Sequence, residues 1–297
     1  MQMLARRPSL PRPTPVEGGS RWRLASREVA ITAGIMVVYF LIRGIRPEAT
    51  DQSVARSLAL IRFEQRADLF WEVRLQQLFI GWDFLMHIAN LVYAWGHYPV
   101  MLAIAVWLAF KDPVRFRFIR NVLLVSAFAG LVTYWLLPAA PPRLMELHGY
   151  DFGFIDTVHG AASNVHYFQP GPFVNDYAAL PSFHFGWIAL SSAAIWSNSR
   201  NRLVRAGAVA MSVVMWWAIT VTGNHYFFDM IFGGLVVTFS WLIVASLPNG
   251  SFVDAYRRYC WPVRGLDDLV IAPFHLLASE GAVHDEKEHL WHLSMAR

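Results

Sequence analysis

Charge is scarce in this chain. Of its 297 residues only 15% are Asp, Glu, Lys or Arg, while 56% are hydrophobic. An ordinary soluble domain carries roughly 25% charged residues, so the composition excludes a well-covered soluble globule. It implies instead one membrane domain of several helices. Cysteine is scarcer still: the single Cys260 excludes an internal disulfide and any cysteine-based metal cluster. The net charge of +4 does not signal nucleic acid, because the basic residues flank apolar runs, as lipid-embedded proteins require. Residues 1–27 are rich in Pro and Arg and have no apolar core of their own, so no cleavable signal peptide is expected. No internal repeat is visible.

The apolar runs that are present predict an all-α, polytopic membrane protein with a six-transmembrane-helix bundle. The six runs lie at residues 29–45, 84–110, 122–137, 183–196, 203–221 and 230–247. A span uses about 20 residues, so the first and fourth must borrow from their flanks. The second is long and contains Pro99, which predicts a kink. Placing the N-terminus inside puts most of the 25 Lys and Arg residues on the cytoplasmic side, with "KDPVRFRFIRN" and "SNSRNRLVR" as short basic loops. Residues 1–28 and 248–297 then read as cytoplasmic tails around a membrane domain at 29–247. An amphipathic helix is expected on the outer surface at about 57–80, and the Gly-, Pro- and Asn-rich stretch 144–180 reads as an outer loop over a site.

This topology brings three polar clusters to one face: "LPAAPPRL", "LPSFHFGW" and "TGNHYFFD". In the last, Asp229 is the only charged residue between Ala206 and Val253. An ionisable group beside an apolar span marks a functional site by default. His225 and Asp229, at i and i+4, share a helix face. A carboxylate that accepts from one ring N–H leaves the other ring nitrogen as a directed lone pair, the logic that activates nucleophiles. The same spacing also serves merely to satisfy a hydrogen bond. In "PSFHFG", Ser182 sits where a helix starts, as N-cap and phosphate ligand, and His184 offers an acid or base near neutral pH. A simple cap with an interfacial histidine is the plainer reading. Arg143 suits planar recognition of phosphate, or the lipid headgroups. Along the second run Asp83, His87, Asn90, Tyr93 and His97 form one polar stripe. Interhelical hydrogen bonding accounts for it, except that His87 lies nearest the outer face.

The blocks "PPR", "PSFHFG" and "GNHYFFD" resemble the three signatures of the type 2 phosphatidic acid phosphatase superfamily. The closer resemblance is to its inositol phosphorylceramide synthase-like branch, the inositolphosphotransferase domain, over residues 62–247. The resemblance implies that His225 is the nucleophile forming a phosphohistidine, that Asp229 orients it, and that His184 protonates the leaving group and deprotonates the acceptor. Arg143 and Ser182 would hold the phosphate, and His87, Asn90, Asn224 and Tyr226 are the candidate pocket residues. Two cations usual in the superfamily are replaced here, by Leu136 and Ile219; Arg62, Arg66 and Arg74 are candidates to stand in for them. The expected activity is phosphoryl or phospho-headgroup transfer on a lipid phosphate or phospholipid at the extracytoplasmic face of the cell membrane. Neither cofactor nor metal is expected. The alternative is a non-catalytic lipid-binding or transport protein in which the histidines and the aspartate hold a metal such as zinc.

Overall fold

The computed structural model describes residues 18–45, 50–159, 163, 165 and 170–246. Most of the two expected cytoplasmic tails, and eight positions of the expected outer loop, lie outside the described residues. The described chain is all-α: α1 (Gly18–Gly44), α2 (Thr50–Arg66), α3 (Glu72–Ile80), α4 (Asp83–Trp95), α5 (Tyr98–Lys111), α6 (Pro113–Leu136), α7 (Phe183–Asn198), α8 (Arg202–Val221) and α9 (Phe227–Ser246).

Local sequence explains several of the boundaries. Asp112 caps α6 by accepting from the Arg115 amide at 3.0 Å, with Pro113 just inside the helix. Asn201 caps α8 in the same way, accepting from the Leu203 amide at 2.8 Å. Pro99 stands in the first turn of α5, where its missing N–H leaves nothing unsatisfied. The chain breaks just before it, and α4 and α5 meet at 53°. The kink expected at Pro99 is thus a full break at Gly96–His97.

Among the described residues four helices are long and apolar enough to cross a membrane: Ala25–Gly44 within α1, α6, α8 and α9; α4 and α5 count as a fifth if the bent pair is one span. The fourth expected span corresponds to α7, which has 16 residues and falls short of the roughly 17–25 that a crossing uses. Six spans are expected from the sequence, and four or five are met. Phe128, Phe239 and Val38 point outward from α6, α9 and α1, a surface suited to lipid. The expected surface helix at about 57–80 is two helices, α2 and α3. They are separated by a turn at Asp68, whose φ of 55° lies in the left-handed region that Asp tolerates. They do not merely lie on the surface, since Glu64, Glu72 and Gln76 are all buried.

The core forms where α6, α7 and α9 meet α1, around Tyr39, Phe118, Val122, Phe183 and Trp187. Trp187 donates its indole N–H to Ser126 Oγ at 3.1 Å, satisfying the polar end of a side chain that is 1% exposed. α7 and α9 cross at Gly186 and Gly233. A Cβ on Gly233 would lie 2.2 Å from the Ser182 carbonyl oxygen, and one on Gly186 would lie 2.8 Å from the Gly233 oxygen. Small residues permit such backbone contact in membrane bundles. This crossing sets the start of α7 against the start of α9, where the Ser182 amide donates to the Asp229 carbonyl at 2.9 Å.

Candidate active site

The turn between α8 and α9 is built to present one side chain. Gly223 has φ of 69°, a conformation open to glycine without strain. Thr222 donates its hydroxyl to the Ala218 carbonyl at 2.7 Å, and Asn224 Nδ2 donates back to Thr222 Oγ1 at 2.9 Å. The His225 amide donates to the Ile219 carbonyl at 3.2 Å. His225 leaves this turn with Nδ1 3.3 Å from Asp229 Oδ2 and Nε2 3.4 Å from His184 Nδ1. The same Asp229 oxygen accepts the Tyr226 amide at 3.0 Å. One ring nitrogen is therefore held by a buried carboxylate while the other faces a second imidazole. These contacts are long for hydrogen bonds, as is common before a substrate tightens a site.

His184 belongs to the first turn of α7. Tyr93 stacks on it with ring centroids 4.7 Å apart, and His97 lies against it at 4.5 Å. The polar stripe on the second apolar run therefore reaches the site through Tyr93 and His97, roughly 15 Å or more along the helix from Asp83 at 1.5 Å per residue. The end near His87, favoured from the sequence, is not the end that reaches it. Among the described residues neither ring nitrogen of His97 makes a well-formed hydrogen bond, nor does His184 Nε2.

Arg143 is fixed from three sides. Its Nε donates to Asn224 Oδ1 at 3.0 Å, Nη1 pairs with Asp156 at 3.3 Å, and Nη2 lies 3.8 Å from Asp176. Its own amide donates to the Gly223 carbonyl at 2.9 Å, tying "PPR" to the His225 turn. Burial pushes the Asp156 carboxyl up, but hydrogen bonds from His159 and the Arg143 charge outweigh it. The group stays below the ordinary carboxylate range and remains ionised.

A cavity of about 220 Å³ opens among these groups. His184, His225, Arg143 and Asn224 line it, together with Arg43 and a wall of tyrosines at 39, 93, 98 and 134. Arg43 comes from the last turn of α1; it donates to the Phe173 carbonyl at 3.1 Å, and its guanidinium carbon lies 5.7 Å from the Tyr134 ring centroid. Sequence reasoning missed Arg43, because an arginine at the end of an apolar run reads as an anchor at the headgroups. Of the other candidates, Ser182 holds the N-cap position of α7 but makes no side-chain cap bond. Its buried hydroxyl has no hydrogen-bond partner among the described residues, and the residue does not line the cavity. Asn90 exchanges two hydrogen bonds with Thr157, at 2.8 and 2.9 Å. Asn90, half-buried His87 and fully buried Tyr226 do not line the cavity; Asn224 does. Nor do Arg62, Arg66 and Arg74 line it.

Behind the turn the chemistry is acidic. Glu72 accepts the Phe227 amide and Glu64 accepts the Phe228 amide, each at 2.7 Å. Their side chains belong to residues 1% and 0% exposed, and the second oxygen of each has no hydrogen-bond partner. Burial, then the charge of Glu72, pushes Glu64 up to about 9, and burial also raises Glu72.

A family model described as the PAP2 superfamily matches residues 58–243, which include every residue of the His225, His184 and Arg143 constellation. A second model, described as the PNKP adenylyltransferase domain, ligase domain, matches only residues 247–297, outside the described residues. No curated protein and no solved structure matches the chain.

Proposed function

The chain belongs to the PAP2 superfamily, and from that premise we propose that it transfers a phosphoryl or phospho-headgroup group from a lipid phosphate or phospholipid through a phosphohistidine at His225. Membership supports lipid-phosphate chemistry of the phosphatase or phosphotransferase kind. The observation that carries the finer reading is the approach of His184 to within 3.4 Å of the His225 ring nitrogen opposite Asp229. The Nε2 lone pair of His225 attacks phosphorus while the bond to the leaving oxygen breaks, and His184 delivers the proton that this oxygen takes. In the second half an acceptor hydroxyl gives its proton to His184 and its oxygen to phosphorus. The N–P bond then breaks and His225 is restored. Asp229 keeps the imidazole in one tautomer throughout.

Charge developing on the phosphoryl oxygens falls to Arg143 and Arg43, which flank the cavity. Arg43 takes up the task of the cations replaced by Leu136 and Ile219. Arg143 exchanges part of its pairing with Asp156 and Asp176 for the substrate. A cavity of about 220 Å³ lies below the roughly 300–1,000 Å³ typical of sites that enclose a drug-sized ligand. It suits a phosphate and its adjoining headgroup, with the acyl chains left in the bilayer. The positive-inside count supports a site at the outer face with both termini cytoplasmic. The blocks resembling the inositolphosphotransferase branch favour a hydroxyl over water as acceptor.

The test is product analysis: purified protein receives a panel of radiolabelled lipid phosphates and phospholipids, with and without a polyol acceptor. Free phosphate marks a phosphatase and a labelled phosphodiester marks a transferase. Either product is to disappear in His225→Ala and in His184→Ala. Tight substrate binding with no product from any of the panel contradicts the reading and favours a lipid-binding protein.

A further inference from the structure

Three consecutive amide groups open α9, those of Tyr226, Phe227 and Phe228, and each is taken by a carboxylate from a different helix. Asp229 of α9 takes the first at 3.0 Å, Glu72 of α3 the second and Glu64 of α2 the third, both at 2.7 Å. The first amides of a helix have no partner within it, so some acceptor is required. Three carboxylates are far more than that requirement, because a hydroxyl or a single aspartate suffices at most helix starts. All three are buried, and each has one oxygen to which no other group among the described residues donates: Glu64 Oε2, Glu72 Oε2 and Asp229 Oδ1.

The geometry restricts their charge. Neighbouring backbone nitrogens bring the Glu64 and Glu72 carboxyl groups side by side. The groups facing them are Asp229, whose charge raises both, and the Tyr226 hydroxyl, which feels theirs, together with the start of α9. Among the described residues no Lys, Arg or His is paired with either glutamate. Like charges crowded into a buried site do not all ionise, and the partial positive charge at a helix start favours negative charge without balancing three carboxylates.

We infer that Glu64 and Glu72 share one proton and together act as positioning residues, locking the turn that carries His225. The shared proton lets both acids keep an oxygen aimed at the amides of Phe227 and Phe228 without repelling each other or Asp229. With those amides held, the first turn of α9 is fixed, and with it the alignment of His225 on Asp229. The inference rests on the phosphohistidine reading for its catalytic consequence, although the shared proton is observable without it. The elevation of Glu64 to about 9 agrees with a neutral acid at physiological pH.

The test uses the full-length protein in lipid nanodiscs and the variants Glu64→Gln, Glu72→Gln and Glu64→Leu. Glutamine keeps the acceptor oxygen and supplies an N–H where the acid supplied its proton, so a single Gln variant mimics the protonated pair. The rate of either Gln variant is expected to stay within about threefold of wild type at neutral pH, whereas Glu64→Leu strands a buried amide and loses roughly ten- to hundredfold. Wild type is expected to lose activity as the pH rises through about 9, and the Gln variants to keep theirs there. Infrared difference spectra give a readout independent of turnover: a protonated-carboxyl band in wild type that both Gln variants lack. Superimposable pH–rate profiles for wild type and the Gln variants overturn the inference, and so does a wild type without that band. If the band is present but wild type turns over no substrate, the proton sharing holds and the positioning role falls together with the phosphohistidine reading. If wild type turns over substrate and the profiles coincide, the inference alone falls.

Discussion

The two sides of the His225 turn differ in sign and in purpose. On the cavity side stand Arg143, Arg43, His184 and His97 against a wall of tyrosines. On the other side stand Asp229, Glu72 and Glu64, closed off from solvent and engaged with the backbone. Five residues of chain, 221–225, divide a basic chamber from an acidic one. The cationic side suits an anion arriving from outside, and the acidic side suits the permanent dipole at the start of α9. On the proposed function, a single arrangement supplies both the field that attracts a phosphate and the scaffold that aims an imidazole at it.

The comparison breaks most sharply if the residue on the boundary is removed. His225→Ala is expected to lower turnover by on the order of 10³-fold or more, since no neighbouring group replaces a nucleophile; thermal unfolding of the variant checks that the fold persists. Next comes the cavity side. Arg143→Gln removes a fixed cation from the charge-developing centre and is expected to lower kcat by about 10²–10³-fold. Arg43→Gln is expected to act in the same direction but less, with Arg43→Lys restoring part of the loss. Steady-state rates on a lipid phosphate at saturating concentration give both values.

The two sides also depend on the crossing of α7 and α9. Gly233→Ala drives a methyl group to 2.2 Å from the Ser182 carbonyl, which overpacking places at about 1–3 kcal/mol of destabilisation. The melting temperature is expected to fall and the activity with it, because His184 moves relative to His225. On the acidic side the effect appears as pH dependence. The folded state holds the Glu64 proton up to about pH 9, against an ordinary value of 4.5. The folded state therefore binds more protons than the unfolded one between those limits, and stability falls progressively as the pH rises across that window. Thermal melts at several pH values should show this decline, with a shallower slope in Glu64→Gln. The smallest effect belongs outside both chambers: His87→Ala is expected to change stability by no more than about 0.5 kcal/mol and to leave the rate unaltered.

The boundary between the chambers was the part most legible in the sequence. His225 and Asp229 stand four apart in an otherwise uncharged stretch, and helix geometry alone brings such a pair together. His184 was legible by topology, because α7 and α9 are separated by the single return helix α8, so they run the same way and their starts share a level. Arg143 followed from its prolines. Arg43 was hidden by an honest pattern: a basic residue at the end of an apolar run is so commonly an anchor that its turn into a cavity leaves no trace in the sequence. Glu64 and Glu72 were hidden for a related reason. Charges at helical spacing among apolar residues describe a solvated face, and only the arrival of two backbone amides from α9, more than 150 residues away in sequence, makes their burial tolerable. The polar stripe misled by its position. Its His87 end stays away from the cavity, while Tyr93 in α4 and His97 at the break before α5 lie against His184. Four or five of the six expected spans are met among the described residues because α7, at 16 residues, is shorter than a crossing uses.

The most direct measurement is the capture of the covalent intermediate. Purified protein is mixed with a ³²P-labelled lipid phosphate, quenched in base and examined for labelled protein. A phosphohistidine gives a label that survives alkali, is lost in acid, and is absent from His225→Ala. A His225→Ala protein that turns over substrate at the wild-type rate, or a wild type that forms product with the label never passing through protein, contradicts the account.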